Sequence, residues 1–256
     1  MSVNVHWMEE EHGSPEGPQW AVQRHVCVGS TNDVCRSLPP WSAALAETQT
    51  QGRGRFGRAF VSGVGGLWLS AVLPAPGPPE KWAGFSLRVG ATLLSVFKRF
   101  DVPEVRLRWP NDIMCGDKKL AGLLIEQPAT GTLIVGLGVN VTNEPWLEAP
   151  ELRDTATSLA EWIKPPEVDH LARLILNALA GAQRKWLDGG MRAAIKELNE
   201  SWESPIPVEI SLSSGETVKG SFTGLDAYGH LRVKNAAGAI FRVEHQQVER
   251  LRECGA

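Results

Sequence analysis

Arg53, Arg55 and Arg58 alternate with Gly52, Gly54 and Gly57 inside seven residues of the segment ETQTQGRGRFGRAF, Glu47 to Phe60. Arginine offers planar, paired donors that match carboxylate and phosphate oxygens. Glycine lets the backbone come close to a ligand and turn its N–H groups toward an anion. The segment therefore has the chemistry of an anion-binding loop, one flexible enough to close over what it binds. It is not a P-loop, because no G-K-[ST] follows. Three further places carry usable groups. RWPNDIM puts Asn111 and Asp112 behind Pro110, DKKLAGLLIE puts Lys119 ahead of Ala121 and Gly122, and GLGVNV ends at Asn140 and Val141. Each has a plainer use: Asp112 as a turn former, Lys119 as a solvated hairpin residue, the loop arginines as a solvated or RNA-binding surface. Together they suit a carboxylate meeting a triphosphate.

These groups need elements to hold them. WAVQRHVCV (Trp20–Val28) alternates and reads as a strand, and Ser30, Thr31 and Asn32 follow where a helix can be capped. SAALAET is a second strand that delivers the chain into the Arg/Gly loop. GGLWLSAVLP (Gly65–Pro74) is a third, its continuous apolar run predicting burial on both faces. Trp82, Phe85, Val89, Leu93, Val96 and Phe97 recur at helical spacing. EVRLRW, PNDIMC and KLAGLLIEQ predict three strands with a turn at GDK, and GTLIVGLGVNV predicts another. TATSLAEW predicts a helix start. A long helix from Val168 and a final one reaching about Trp202 complete this part. The pattern is α+β, a mixed or mostly antiparallel sheet packed with helices. After SPIP (Ser204–Pro207) the texture becomes period-two with turn signals at SSGE, AYGH and NAAG, predicting a small β-barrel. The expected organisation is a loose lead-in over 1–19, a catalytic domain over 20–203 and a β-barrel domain over 204–256.

Composition narrows the classes. The formal net charge is −3, from 26 basic and 29 acidic side chains, so nothing draws the whole chain to nucleic acid. The four cysteines have neither C-x-x-C nor zinc-site spacing and read as reduced thiols in a cytoplasmic protein. No signal peptide and no membrane span is expected.

In order and with comparable gaps, STN, QTQGRGRFGR, RWPNDI, KLAGLLIE and GLGVNV resemble the biotin protein ligase family, and the resemblance runs from about Val22 to Leu251. It implies a core like that of class II aminoacyl-tRNA synthetases followed by a Src-homology-3-like barrel. It also implies a two-step reaction: biotin and MgATP give biotinyl-5′-AMP, and a lysine of a biotin carboxyl carrier protein domain then displaces AMP. Carried over by motif, Ser30, Thr31, Asn32 and Gln51 contact the biotin ring system. Arg53 and Arg55 hold carboxylate and phosphate, and Arg58 contacts the phosphates. Trp68 supplies an apolar wall, and Gly122 and Gly138 give a bare backbone against biotin. Lys119 bridges carboxylate and α-phosphate. Asn140 lies near the phosphates or their Mg²⁺. Asp112 either orients or deprotonates the acceptor lysine, or meets the Mg²⁺. The catalytic set expected is Arg55, Lys119 and Asp112. The stretch before the first expected strand, Met1 to Gln19, is too short for the helix-turn-helix domain that bifunctional members carry, so no nucleic-acid or membrane partner is expected. Members include monomers and dimers paired through sheet edges, so a homodimer stays open. Two other readings compete: a biotin or biotinyl-AMP binding module without catalysis, and lipoate ligation, whose enzymes lack the combined GRGRxGR and WPND pattern.

Overall fold

The structure is a computed structural model describing residues 2–7, 17–128, 131–202 and 205–254. Its elements in chain order are β1 (Ser2–Trp7), β2 (Trp20–Val28), α1 (Thr31–Cys35), β3 (Ser42–Gln49), β4 (Leu67–Ala75), α2 (Phe85–Lys98), β5 (Val105–Arg108), β6 (Asp112–Cys115), β7 (Lys118–Glu126), β8 (Gly131–Val139), α3 (Val168–Ser201), β9 (Ile206–Leu212), β10 (Thr217–Leu225), β11 (Leu231–Lys234), β12 (Ile240–Val243) and β13 (Val248–Glu253). Contacts divide the chain into two compact units, Met1–Arg184 and Lys185–Ala256.

The first unit is built on an eight-stranded sheet in the order β1-β2-β3-β4-β8-β7-β6-β5. Only the β2–β3 pair is parallel, and α1 is its crossover. Leu67 to Leu73 of β4 are buried throughout, as the unbroken apolar run predicts for a central strand. α1 packs through Cys35 against Ala44, Val72 and Ile134, on one face of the sheet. α2 sits near β5, β6 and β7, where the bare Cα of Gly90 admits Leu107.

The structure corrects two expectations. Ser2–Trp7 lie within the expected loose lead-in, but they form a strand that pairs antiparallel with β2 from Ser2↔His25 to Trp7↔Trp20; residues 8–16 lie outside the described ones. TATSLAEW starts no α-helix, and only the single turn Leu159–Glu161 forms. The reason is that the backbone there is already used. Lys119 N–H donates to Thr155 O at 2.8 Å, and Thr157 N–H donates to Lys119 O at 3.0 Å. A helical ladder needs those same groups.

In the second unit the tail of α3 follows a break at Gly190, where φ is 57° and ψ is −150°. That backbone conformation suits glycine alone. Trp202 stands edge-on to Phe222 at 4.9 Å, and the Asn199 amide pairs with both backbone groups of Leu225. The antiparallel sheet β12-β11-β10-β9-β13 buries the apolar side chains of Val208, Ile210, Phe222, Leu225, Leu231, Val233, Val243 and Val248. No pairing between its edge strands β12 and β13 is present among the described residues.

Candidate functional site

Strand register assembles the site. Arg108 lies opposite Asp112, Asp112 opposite Gly122, Gly122 opposite Gly138 and Gly138 opposite Trp68. Residues directly opposite share a face of a sheet. A single row across β5, β6, β7, β8 and β4 thus reads Arg, Asp, Gly, Gly, Trp: charge at one end, an aromatic wall at the other, and bare backbone between.

The charged end holds Asp112 between two cations. Lys119 Nζ is 2.6 Å from Asp112 Oδ1, and Arg108 Nη2 donates to Oδ2 at 2.8 Å. Burial pushes the Asp112 carboxyl up, but the positive charges of Lys119 and Arg108 and their hydrogen bonds outweigh it and hold it below the ordinary carboxylate range. A carboxylate so held, with both oxygens engaged, is a poor proton acceptor and a good anchor. Its geometry favours orienting Lys119 over deprotonating an amine. Arg55 adds a third charge: burial lowers its pKa, the field of Asp112 opposes that, and Arg58 adds to the lowering.

The glycine floor carries an aromatic cover. Phe60, the last residue of the Arg/Gly segment, lies over both glycines. A Cβ at Gly138 would stand 2.7 Å from Phe60 Cε1, and one at Gly122 would stand 3.0 Å from Cε2. Lys119 Nζ is 5.3 Å from the Phe60 ring centre, and Trp68 meets the ring edge-on at 5.9 Å. Trp68 is fully buried, its indole N–H shared between Glu47 O and Gly63 O. The sequence singled out Trp68, Gly122, Gly138 and Lys119; the structure adds Phe60. Its placement at the end of the loop was the one available signal.

A polar pocket lies on the same face. Thr31, the first residue of α1, donates its N–H to Gln49 Oε1 at 2.8 Å, and its hydroxyl lies 2.7 Å from Ser70 Oγ. Asn32 reaches Ser70 and Glu126. Ser30 is buried at the helix N-cap position without a side-chain capping bond. Gln51 is exposed beyond the end of β3, its N–H donated to Gly29 O. Gln49 is instead the glutamine that meets Thr31. Gln49 and Glu126 stand at the outer ends of the QTQGRGRFGR and KLAGLLIE motifs but were not singled out, and Ser70 belongs to an ordinary-looking strand.

Arg53 pairs with α1 and β7. It donates to both oxygens of Asp33 at 2.7 Å and approaches Glu126 at 3.3 Å. Hydrogen bonds from Arg53 are the leading cause that holds the Asp33 carboxyl below its usual range. Arg55 starts a single turn through Gly57, with Phe56 at φ 57° and exposed; Arg58 is exposed just after it. Asn140 is buried, its amide donating to Thr157 O and accepting from Asn143, so it fixes the loop after β8. Among the described residues no three His, Cys, Asp or Glu gather as a metal site. Burial pushes the Cys35 and Cys115 thiols up to about 12 and about 11, which makes them unreactive. No helix among the described residues is long and apolar enough to cross a membrane.

Comparison with known proteins decides the lineage. Residues 29–140 match the model of the biotin/lipoate A/B protein ligase family. A biotin--[acetyl-CoA-carboxylase] ligase of Mycobacterium tuberculosis is 31% identical over 193 residues, covering 73% of this chain and 71% of that protein. The chain belongs to this family. The matched region of the bifunctional ligase/repressor BirA of Bacillus subtilis, 31% identical over 147 residues, covers 54% of this chain and 45% of that protein. In fold, the chain is similar to the biotin protein ligase of Aquifex aeolicus in complex with biotin and ATP, with a TM-score of 0.79 at 24% identity over 91% of this chain and 99% of that one. The chain itself displays an α+β unit followed by a small C-terminal unit that joins the end of α3 to a five-stranded antiparallel sheet.

Proposed function

We propose that the protein is a biotin–[biotin carboxyl carrier protein] ligase. It activates biotin with MgATP and transfers it to a lysine of a carboxylase carrier domain. The observation that carries the reading is the row from Arg108 and Asp112 to Trp68, with Lys119 on Asp112: two cations around one carboxylate, beside a glycine floor under Phe60 and a polar pocket. In the first step a biotin carboxylate oxygen attacks the α-phosphorus of ATP. The bond to the oxygen bridging to the β-phosphate breaks, and pyrophosphate leaves with its electron pair. Lys119, held by Asp112, places its ammonium between the two anions and offsets their repulsion. Phe60, over the glycine floor and against Trp68, borders the apolar body, and Thr31 with Gln49 meets the polar ring. In the second step the carrier lysine's amine attacks the acyl carbon, AMP leaves, and the amine proton is released. Arg55, on the flexible loop, helps retain the mixed anhydride and keep water from it.

The test is to incubate the folded protein with biotin, MgATP and a biotin carboxyl carrier domain, and to read the carrier by mass spectrometry. Addition of one biotinyl group at a single lysine, dependent on ATP, is expected. Tight binding of biotinyl-AMP with no transfer would support a binding module instead.

A further inference from the structure

Ser70, Asn32 and Glu126 form a chain of short hydrogen bonds that ends on Thr31. Asn32 Nδ2 donates to Glu126 Oε2 at 2.6 Å. A carboxylate only accepts, so Asn32 must turn its nitrogen toward it and its oxygen away. That oxygen accepts the Ser70 hydroxyl at 2.6 Å. Ser70 has one proton, and this bond uses it. Ser70 Oγ and Thr31 Oγ1 lie 2.7 Å apart, so the proton between them must come from Thr31. A second acceptor, Gln49 Oε1, lies 3.0 Å from the same hydroxyl. With its proton committed to Ser70, the nearer of the two, Thr31 is left with lone pairs alone for any further partner. Gln49 cannot turn to offer a donor instead. Its Oε1 also accepts the Thr31 N–H at 2.8 Å, and its Nε2 is held on Ser62 Oγ at 2.9 Å. Thr31, Asn32 and Ser70 are buried, and a Cβ at Gly136 would collide with Asn32 Oδ1. Arg36 at 2.9 Å and Arg53 at 3.3 Å steady the far end by pairing with Glu126.

We propose that Glu126 is a specificity-determining positioning residue: through Asn32 and Ser70 it fixes Thr31 as a hydrogen-bond acceptor. The pocket therefore takes a ring that offers an N–H at this point, as a cyclic urea does, and rejects an isosteric ring that offers oxygen there. The inference rests on the biotin reading above. Its energetic basis is the mismatch of two acceptors facing each other in a buried site, which discriminates far more strongly than a missing methylene does.

The test uses biotin and the two cyclic carbamate analogues in which one or the other ring N–H is replaced by oxygen, with affinities measured by calorimetry. The wild type should prefer biotin over at least one analogue by about a hundredfold or more. Glu126→Gln replaces an acceptor-only group with one that also donates, so Asn32 can flip and the proton order reverses. Ser70→Ala removes the shorter of the two acceptors that claim the Thr31 proton. The other, Gln49 Oε1, is already engaged by the Thr31 N–H and binds the hydroxyl at longer range. Either variant should narrow the preference about tenfold or more, because Thr31 can then donate to the carbamate oxygen. A merely structural role would weaken both ligands alike and leave the ratio unchanged. An unchanged ratio in Ser70→Ala, a small substitution that keeps Glu126 in place, overturns the inference even if Glu126→Gln fails to fold. So does a wild type that binds biotin without preference. A wild type that does not bind biotin overturns the parent reading as well, so the two failures are distinct.

Discussion

Two charged clusters flank the site, and they are balanced differently. At the α1 end, Asp33 and Glu126 face Arg36 and Arg53, two carboxylates against two guanidiniums. At the β6–β7 end, among the described residues, Asp112 alone faces Lys119 and Arg108, and it also feels the charge of Arg55. The first cluster is neutral and partly exposed, so it contributes little more than surface pairs do. The second keeps a net positive charge beside the glycine floor that Phe60 covers. Excess charge marks where an anion belongs, while a matched cluster holds a loop in place.

The largest expected effect is at Lys119. Lys119→Ala should lower the rate of biotinyl-AMP formation roughly 10²–10³-fold, the effect of losing a preorganised charge partner in the transition state. Arg53→Ala should cost about tenfold or less, because its charge is already answered by Asp33. Quenched-flow assay of both variants measures the contrast, and equal losses would dissolve it. Arg55→Ala should adenylate biotin yet retain the product poorly, so free biotinyl-AMP leaks and labels exposed lysines nonspecifically. Lys119→Ala should not leak, since little adenylate forms. Labelling of a bystander protein separates the two. If neither variant labels it, the loop does not retain the intermediate.

A smaller effect is expected on the floor. Gly138→Ala puts a Cβ 2.7 Å from Phe60 Cε1, where a rigid ring must move. Overpacking of that kind typically costs about 1–3 kcal/mol, readable by urea denaturation. Biotin affinity should fall in parallel. The smallest effect is on stability at low pH. The Asp112 carboxyl is held below its ordinary range in the folded state, so its ion pairs stabilise fully above the unfolded carboxyl's pKa. Their contribution is lost as pH falls from that value through the depressed folded one. Asp112→Asn should flatten that part of the stability curve without moving the rest.

Much of this was legible in the sequence, because local patterns carried it. The apolar run of β4, the Arg/Gly loop, and the strands bearing Asp112, Lys119 and Gly138 are stretches whose composition and period determine what they are. What was hidden depends on meetings between distant residues. Arg53 finds Asp33 and Glu126 from 20 and 73 positions away, and Asn32 finds Glu126 across 94. Ser70 looks like any strand residue until α1 lands beside it, and Gln49 is only the outer end of a motif until Thr31 meets it. Phe60 looks like a loop's apolar end until two strands bring Gly122 and Gly138 beneath it. TATSLAEW satisfies a helical pattern, but Lys119 takes its backbone groups first. Propensity cannot anticipate that competition.

On the proposed function, the excess positive charge around Asp112 serves adenylation of biotin. The most direct test is exchange of labelled pyrophosphate into ATP, with Mg²⁺ and with or without biotin, because it isolates the first step from any carrier. Wild-type protein should exchange only when biotin is present, and Lys119→Ala should lose that exchange roughly 10²–10³-fold while remaining folded. Folded wild-type protein that shows no biotin-dependent exchange, or a Lys119→Ala variant that exchanges as fast as wild type, would contradict it.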